Sequence, residues 1–449
     1  MIFYGGEVMK LMAEKVLSPF FLGGWNISKD EEFDVEFVEA QQFLRSERLD
    51  LISKLLYIDC REKGKQDEFI EDLYGEFIKA FSSGTYIEPG TESKNSLEKY
   101  FESFNDLIDN IKENGFQVEK SVVPVGENGS ILDGSHRTAI AIYFGLKLPI
   151  IRIPKISKNY NYLYFRDKGM EEKYLDYSVM KYIEMSKHCY VACLWPRARG
   201  RNKINEAEQL LYKSTNIVYE KKVKFNYNGI RQFMIHIYGH QPWAGTLENN
   251  YSGIPLKAKS CYRIGSYTKI FILDGSTLEE IIKVKSKIRD IFKVENHSVH
   301  ITDTKQEAVE ASRILLNENS IDFLNYGNIT KPYELVKYIL NNADKHNKEL
   351  LSPTVVKTMY ELKKDNLNIT QDNCWIYRDE EIDVKEYGYV YDILFSSLEN
   401  CDLTHSEKCR LFFTKIKKGL LIDIITRLEI GNHIRHIGGK ILRKLKVIR

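Results

Sequence analysis

Five consecutive residues, Asp133-Gly134-Ser135-His136-Arg137, combine the side chains that a phosphate-binding turn needs. The apolar pair Ile131-Leu132 runs into them, and a helix-forming stretch from Ser135 to Phe144 follows and stops at Gly145. A helix N-terminus offers N–H groups without intrahelical partners and a partial positive charge. Gly134 lets the backbone approach a ligand closely, and Arg137 carries the planar fork that matches a phosphate. His136 and Arg137 fall in the first turn, where a cation opposes the helix dipole unless something anionic is bound there. The structural alternative for the same residues has Ser135 capping the helix and Arg137 pairing with Asp133.

The elements around the turn are legible. A helix is expected to begin with Asn95 and Glu98 as a capping-box-like pair, to place Leu97, Phe101, Phe104, Leu107, Ile108 and Ile111 on one face, and to stop at Gly115. Ser121-Val122-Val123-Pro124-Val125 reads as a strand, Glu127-Asn128-Gly129 as a turn, and Ile131-Leu132 as the start of a returning strand. Leu148 to Ile153 reads as another strand. Upstream, the run from Ser46 to Tyr57 has a helical apolar face. Asp50 and Lys54, four residues apart, are expected to pair on its outer side, with a ligand-facing role for Arg48 or Lys54 as the alternative.

With 449 residues the chain is long enough for two or three domains, and 43% hydrophobic with 29% charged residues describes an ordinary globular protein. A net charge of +2 argues against a general polyanion binder and leaves a local basic patch open. Seven scattered cysteines without a CxxC pair suggest reduced thiols. Cys189 and Cys193 follow His188, but no second ligand pair follows, so the apolar run Tyr190 to Trp195 reads as a strand with buried cysteine. No signal peptide and no membrane-spanning run is expected, which places the protein in the cytoplasm.

Residues 155–185 are charged and tyrosine-rich without a clean period, and an inter-domain boundary is expected there. Beyond it, Lys269–Asp274 reads as a strand, Thr277–Phe292 as an amphipathic helix and Ser298–Thr302 as a strand, which suggests a second sheet with helices packed on it. Thr304 and Glu307 have capping-box spacing, with metal binding by Asp303 as the alternative. Trp243, Lys257 and Lys259 lie in a loop-rich stretch, 240–261, that could bind a substrate, with a core role for Trp243 as the alternative. From about residue 331 the pattern is mainly helical. The tail 431–449 carries Arg435, Lys440, Arg443, Lys444, Lys446 and Arg449, no carboxylate and interleaved isoleucine and leucine. It reads equally as a packed terminal helix or as a peripheral contact with the anionic inner face of a membrane.

Residues 85–153 resemble the ParB/sulfiredoxin-like superfamily. The matching features are the helix Phe104 to Gly115, the strand Val123-Pro124-Val125, the box Asp133-Gly134-Ser135-His136-Arg137 and the strand Leu148-Pro149-Ile150. The match covers about a sixth of the chain and is more specific for fold than for reaction. It implies a ParB/sulfiredoxin-like nucleotide-binding domain at 1–155 with an N-terminal helical extension. With the patterning beyond it, the expected architecture is α/β (α+β), with a second α/β domain at 186–330 and a mainly helical region at 331–449. It also implies ATP or another nucleotide at Asp133, Gly134, Ser135, His136 and Arg137, with Mg²⁺. Ser135 stands where sulfiredoxins have their cysteine, which argues against sulfinic-acid repair. ParB proteins have a more arginine-rich box and a helix-turn-helix domain next, which is not evident here.

The superfamily's free-serine kinases are the closest in chemistry. Their catalytic carboxylate comes from the segment before the helix, which corresponds here to Tyr86–Lys94. That resemblance points to Glu92 first and Glu88 second as general base, with Lys94 as a phosphate partner. For each of these an exposed loop of charges is the structural alternative. The chain as a whole also looks like bacterial proteins associated with surface-polysaccharide synthesis. The expectation is a nucleotide-dependent phosphotransferase acting on a small hydroxylated substrate, without a specific nucleic-acid partner. A ParB-like nucleotide switch and a non-catalytic membrane-associated assembly factor are its rivals.

Overall fold

The computed structural model describes residues 9–317 except positions 89, 91–93, 119–121, 247, 248 and 250, together with Ile321, Leu324, Asn325 and the backbone of 349–351 and 375–377. The protein is mixed α/β, and its internal contacts divide it into two units that meet at Ser186 and Lys187 in the sequence.

The first unit runs β1 (Lys10–Met12), α1 (Ala13–Val16), α2 (Pro19–Trp25), β2 (Glu32–Asp34), β3 (Glu36–Glu39), α3 (Asp50–Glu62), α4 (Glu68–Phe81), α5 (Leu97–Asn114), β4 (Val123–Gly126), α6 (Ser135–Phe144), β5 (Lys147–Ile153), α7 (Tyr162–Asp167) and α8 (Glu172–Met185). Its central sheet has the order β3-β5-β4. Strand β5 is antiparallel to β3 and parallel to β4. Parallel neighbours need a crossover, and α6 is that crossover. Alternation along β5 explains the layering. Leu148 and Ile150 join α3, α4, α5 and α6 in one core, while Ile151 and Ile153 face a second core with Leu11, Phe21, Leu22 and Phe33.

Several boundaries differ from the sequence reading. Helix α5 is capped by Ser96, whose hydroxyl accepts from the Lys99 N–H, so the cap lies one residue past Asn95. Strand β4 starts at Val123, and the returning strand reduces to a single bridge between Ile131 and Val125. Residues 155–185 hold α7 and α8, and both pack within the first unit. Phe165 meets Phe77 edge-on at 4.6 Å, and Tyr174 stacks on Phe69 at 5.6 Å. Aromatic packing of this kind has no strict period, which is why the segment resembled a boundary.

The second unit runs β6 (Cys189–Leu194), α9 (Arg201–Ser214), β7 (Asn216–Val223), α10 (Tyr227–Tyr238), α11 (Ile254–Cys261), β8 (Thr268–Asp274), α12 (Leu278–Phe292), β9 (Val299–Ile301) and α13 (Lys305–Leu315). Its sheet has the order β7-β8-β6-β9 with every neighbouring pair antiparallel. Two strand–helix–strand units, β6-α9-β7 and β8-α12-β9, therefore interleave in a split βαβ arrangement. Ala192, Leu194, Phe271, Leu273, Val299 and Ile301 form one face of the core with Leu211 of α9 and Ile281, Val284 and Ile288 of α12. The expected capping box at Thr277 and Glu280 is present. Of 331–449, the described residues form β10 (Glu349–Leu351) paired antiparallel with β11 (Trp375–Tyr377). The basic tail lies outside the described residues. Among the described residues, no helix is long and apolar enough to cross a membrane.

Two buried histidines make the second unit acid-sensitive. Burial brings His236 down to about 4, and burial with the nearby cations Lys285, Lys257 and Arg289 brings His300 down to about 3, from an ordinary 6.5. Both pKa values are depressed, so stability is complete above pH 6.5 and falls as the unfolded chain takes up protons below it. Each histidine contributes a slope of about 1.4 kcal/mol per pH unit. Hydrogen exchange at β6 and β8, corrected for intrinsic rates, should lose protection from pH 6.5 to pH 4, and His300→Gln should reduce that slope by about half. An unchanged slope in the variant would refute the assignment.

Candidate phosphate-binding site

Helix α6 begins without a side-chain cap. Gly134 occupies the cap position in a left-handed conformation (φ 83°), and neither Ser135 nor Asp133 caps the helix. The Asp133 carboxylate instead accepts the Gly134 N–H at 2.7 Å, and the first N–H to return to the turn is that of Thr138, to the Gly134 carbonyl at 2.9 Å. The N–H groups of the first turn are thus left for a ligand or water. Arg137 folds back across the turn. Its guanidinium donates to the Val122 carbonyl at 2.8 Å and lies at 3.5 Å from Asp133. A Cβ on Gly134 would come within 2.9 Å of both the Arg137 guanidinium and Val123, so only glycine lets arginine pack there.

His136 is not the first-turn cation that its position suggested. Burial, with Lys54, Lys94 and Arg137 adding to it, holds its pKa well below the ordinary value, so the ring is neutral. Its Nε2 is 2.9 Å from the Tyr74 hydroxyl, which burial keeps protonated. With Tyr74 donating, the second ring nitrogen carries the proton and remains a donor.

The residues that the sequence reading placed least well stand beside this turn. Asp50 and Lys54 do pair, at 2.9 Å, but both are buried, not on an outer face. Arg48 is buried with them and grips Asp50 with two parallel bonds of 2.8 Å, while its third donor reaches the Ile131 carbonyl at 2.7 Å. That last bond ties the start of α3 to the segment leading into Asp133. The Arg48 guanidinium also lies over the Tyr160 ring, 5.1 Å from its centroid. Burial would raise the Asp50 carboxyl, but Arg48 and Lys54 outweigh it and hold it well below the usual carboxylate range. Burial lowers the Lys54 ammonium, and Asp50 only partly offsets that. Two buried cations share one carboxylate, which leaves an excess positive charge close enough to α6 to act on His136.

No protein-family model, no curated protein and no solved structure matches the chain.

Of the carboxylates before α5, Glu88 forms an ion pair with Lys94 at 2.9 Å, and the Lys94 ammonium sits over the Tyr100 ring at 5.5 Å. Burial and then Glu88 push the Tyr100 hydroxyl up to about 12. Glu88 also acts electrostatically on Arg137, so Glu88, Lys94 and the box share one neighbourhood. Glu92 lies outside the described residues.

The other residues singled out above fall in the second unit. Cys189 and Cys193 are buried in β6, and no cluster of three or more metal-binding side chains occurs among the described residues. Asp303 is paired with Lys285 at 2.8 Å, and half of the expected capping box forms: the Thr304 hydroxyl accepts the Glu307 N–H at 3.1 Å, while the Glu307 carboxylate takes the Asp303 N–H and not that of Thr304. Trp243 and Lys257 border a cavity, whereas Lys259 is exposed outside its lining.

Proposed function

We propose that the first unit binds the phosphates of a nucleotide at the N-terminus of α6 and uses them in a Mg²⁺-dependent phosphotransfer to a small hydroxylated acceptor. The observation that carries the binding step is the pair of buried cations, Arg48 and Lys54, sharing Asp50 beside an uncapped helix start. A buried charge without a counter-charge is costly, and a bound phosphate would neutralise it while taking the free N–H groups of Ser135, His136 and Arg137. Resemblance to the free-serine kinases supports the transfer step, with acceptors of the kind used in surface-polysaccharide synthesis among the candidates. Glu92 is the proposed base and Lys94 a phosphate partner released from Glu88 when nucleotide binds.

Nucleoside diphosphate release from nucleoside triphosphates and Mg²⁺, measured with and without hydroxylated acceptors such as serine, tests the reaction. Acceptor-dependent release supports a transferase. Binding with no acceptor dependence would favour the nucleotide switch. Glu92→Gln is expected to abolish transfer while nucleotide affinity stays within about twofold, because a base acts on the acceptor. Full activity in that variant would transfer the role to Glu88, for which Glu88→Gln is the matching test.

A further inference from the structure

The second unit contains a cavity of about 570 Å³, within the range typical of small-molecule sites. Its charged groups are unevenly satisfied. Asp303 is committed to Lys285, Glu307 accepts the Asp303 N–H at 2.7 Å, and the Glu295 side chain is 89% exposed. Arg289 and Lys257 have no carboxylate partner among the described residues. The Arg289 Nε is buried with no hydrogen-bond partner among the described residues, and the Lys257 ammonium donates to the Asn296 carbonyl, lies 3.5 Å from His297 Nδ1 and stands 5.8 Å from the centroid of the Tyr238 ring.

His300 also lines the cavity and is 8% exposed. Its Nδ1 is 3.0 Å from the Tyr238 hydroxyl, which fixes the ring and leaves Nε2 without a hydrogen-bond partner among the described residues. Lys257, Lys285 and Arg289 all stand close enough to act electrostatically on this ring. Guanidinium, ammonium and imidazole therefore line one space, two of them carrying uncompensated positive charge. Trp243, also in the lining, is 46% exposed, and its ring lies 5.4 Å from that of Tyr238, which gives the cavity a flat apolar surface.

We propose that this cavity binds a small phosphomonoester bearing a flat ring, with the phosphate held by Arg289, Lys257 and His300 and the ring laid on Trp243. A phosphomonoester brings a charge approaching −2 and three terminal oxygens to two uncompensated cations and an imidazole, whereas a carboxylate brings a single charge and leaves one cation without a counter-charge. The site is independent of the one proposed for the first unit.

Titration of the full chain with phenyl phosphate, benzoate and phenol, followed by calorimetry, tests this. Phenyl phosphate should bind saturably, benzoate at least about tenfold more weakly, and phenol not measurably. Lys257→Met and Arg289→Gln should each weaken phenyl phosphate about tenfold or more. Trp243→Ala should weaken phenyl phosphate and leave inorganic phosphate unchanged. Lys259→Met, outside the lining, should behave as wild type. Near-ultraviolet circular dichroism checks that each variant is folded. Lys257→Met and Trp243→Ala carry the test alone if Arg289→Gln does not fold. Absence of saturable phenyl phosphate binding, equal affinity for benzoate, or unchanged affinity in folded Lys257→Met would each overturn the proposal.

Discussion

Asp50→Asn is expected to destabilise the first unit by about 3–5 kcal/mol, the usual consequence of removing one partner from a buried ionic group. Arg48 and Lys54 would then be buried with no countercharge, and asparagine cannot accept both arms of the guanidinium and the ammonium as the carboxylate does. The loss should appear as faster hydrogen exchange in α3, β4 and β5 with little change in β6 and β8. A second variant separates charge from packing. With Arg48→Met and Lys54→Met added to Asp50→Asn, no charge is left to strand, and most of the stability should return. Asp50→Asn that exchanges like wild type would show that water or an unrecognised partner already satisfies the two cations.

Gly134→Ala is expected to cost about 2–4 kcal/mol, combining the left-handed backbone with overpacking against Arg137 and Val123. Thermal denaturation measures it. The two causes are separable, because asparagine tolerates the left-handed region much better than alanine does. If the backbone angle alone mattered, Gly134→Asn would recover most of the loss. The Cβ lies within 2.9 Å of both neighbours, so Gly134→Asn should remain nearly as destabilised as Gly134→Ala. A wild-type melting temperature for Gly134→Asn would contradict the close packing of Arg137 over the turn.

The turn from Asp133 to Arg137 was legible because its elements have simple sequence signals: an apolar entry, a glycine with the required backbone freedom and a second glycine, Gly145, to end the helix. Helices α5 and α12 were legible for the same reason, with one apolar face and a glycine or capping box at an end. The Arg48-Asp50-Lys54 cluster was not. Charges four residues apart on a helix usually mark a solvated face, and nothing local tells that the Tyr160 and Phe81 rings lie over the two cations. Neutral His136 was missed likewise, since its state depends on burial and on the cations Lys54 and Lys94, both remote from it in the sequence. The cavity in the second unit draws on α10, α11, α12, β9 and α13, and only Trp243, Lys257, Asp303 and Glu307 of its lining stood out in the sequence.

The central claim is that a phosphate group belongs at the start of α6. Calorimetric titration of the full chain with ATP, CTP, GTP and UTP in the presence of Mg²⁺ tests it most directly, with wild type, Lys54→Met and Arg137→Ala compared. Lys54→Met leaves the Arg48–Asp50 pair intact and removes the excess cation, so the unit should stay folded. Losing a charged donor to phosphate costs about 1.5–3 kcal/mol, which is about tenfold or more in affinity. At least one nucleotide should bind wild type, and both variants should lose about tenfold or more for it while β4 and β5 keep their exchange protection. Affinity equal to wild type in both folded variants, or no binding of any of the four nucleotides, would contradict the account.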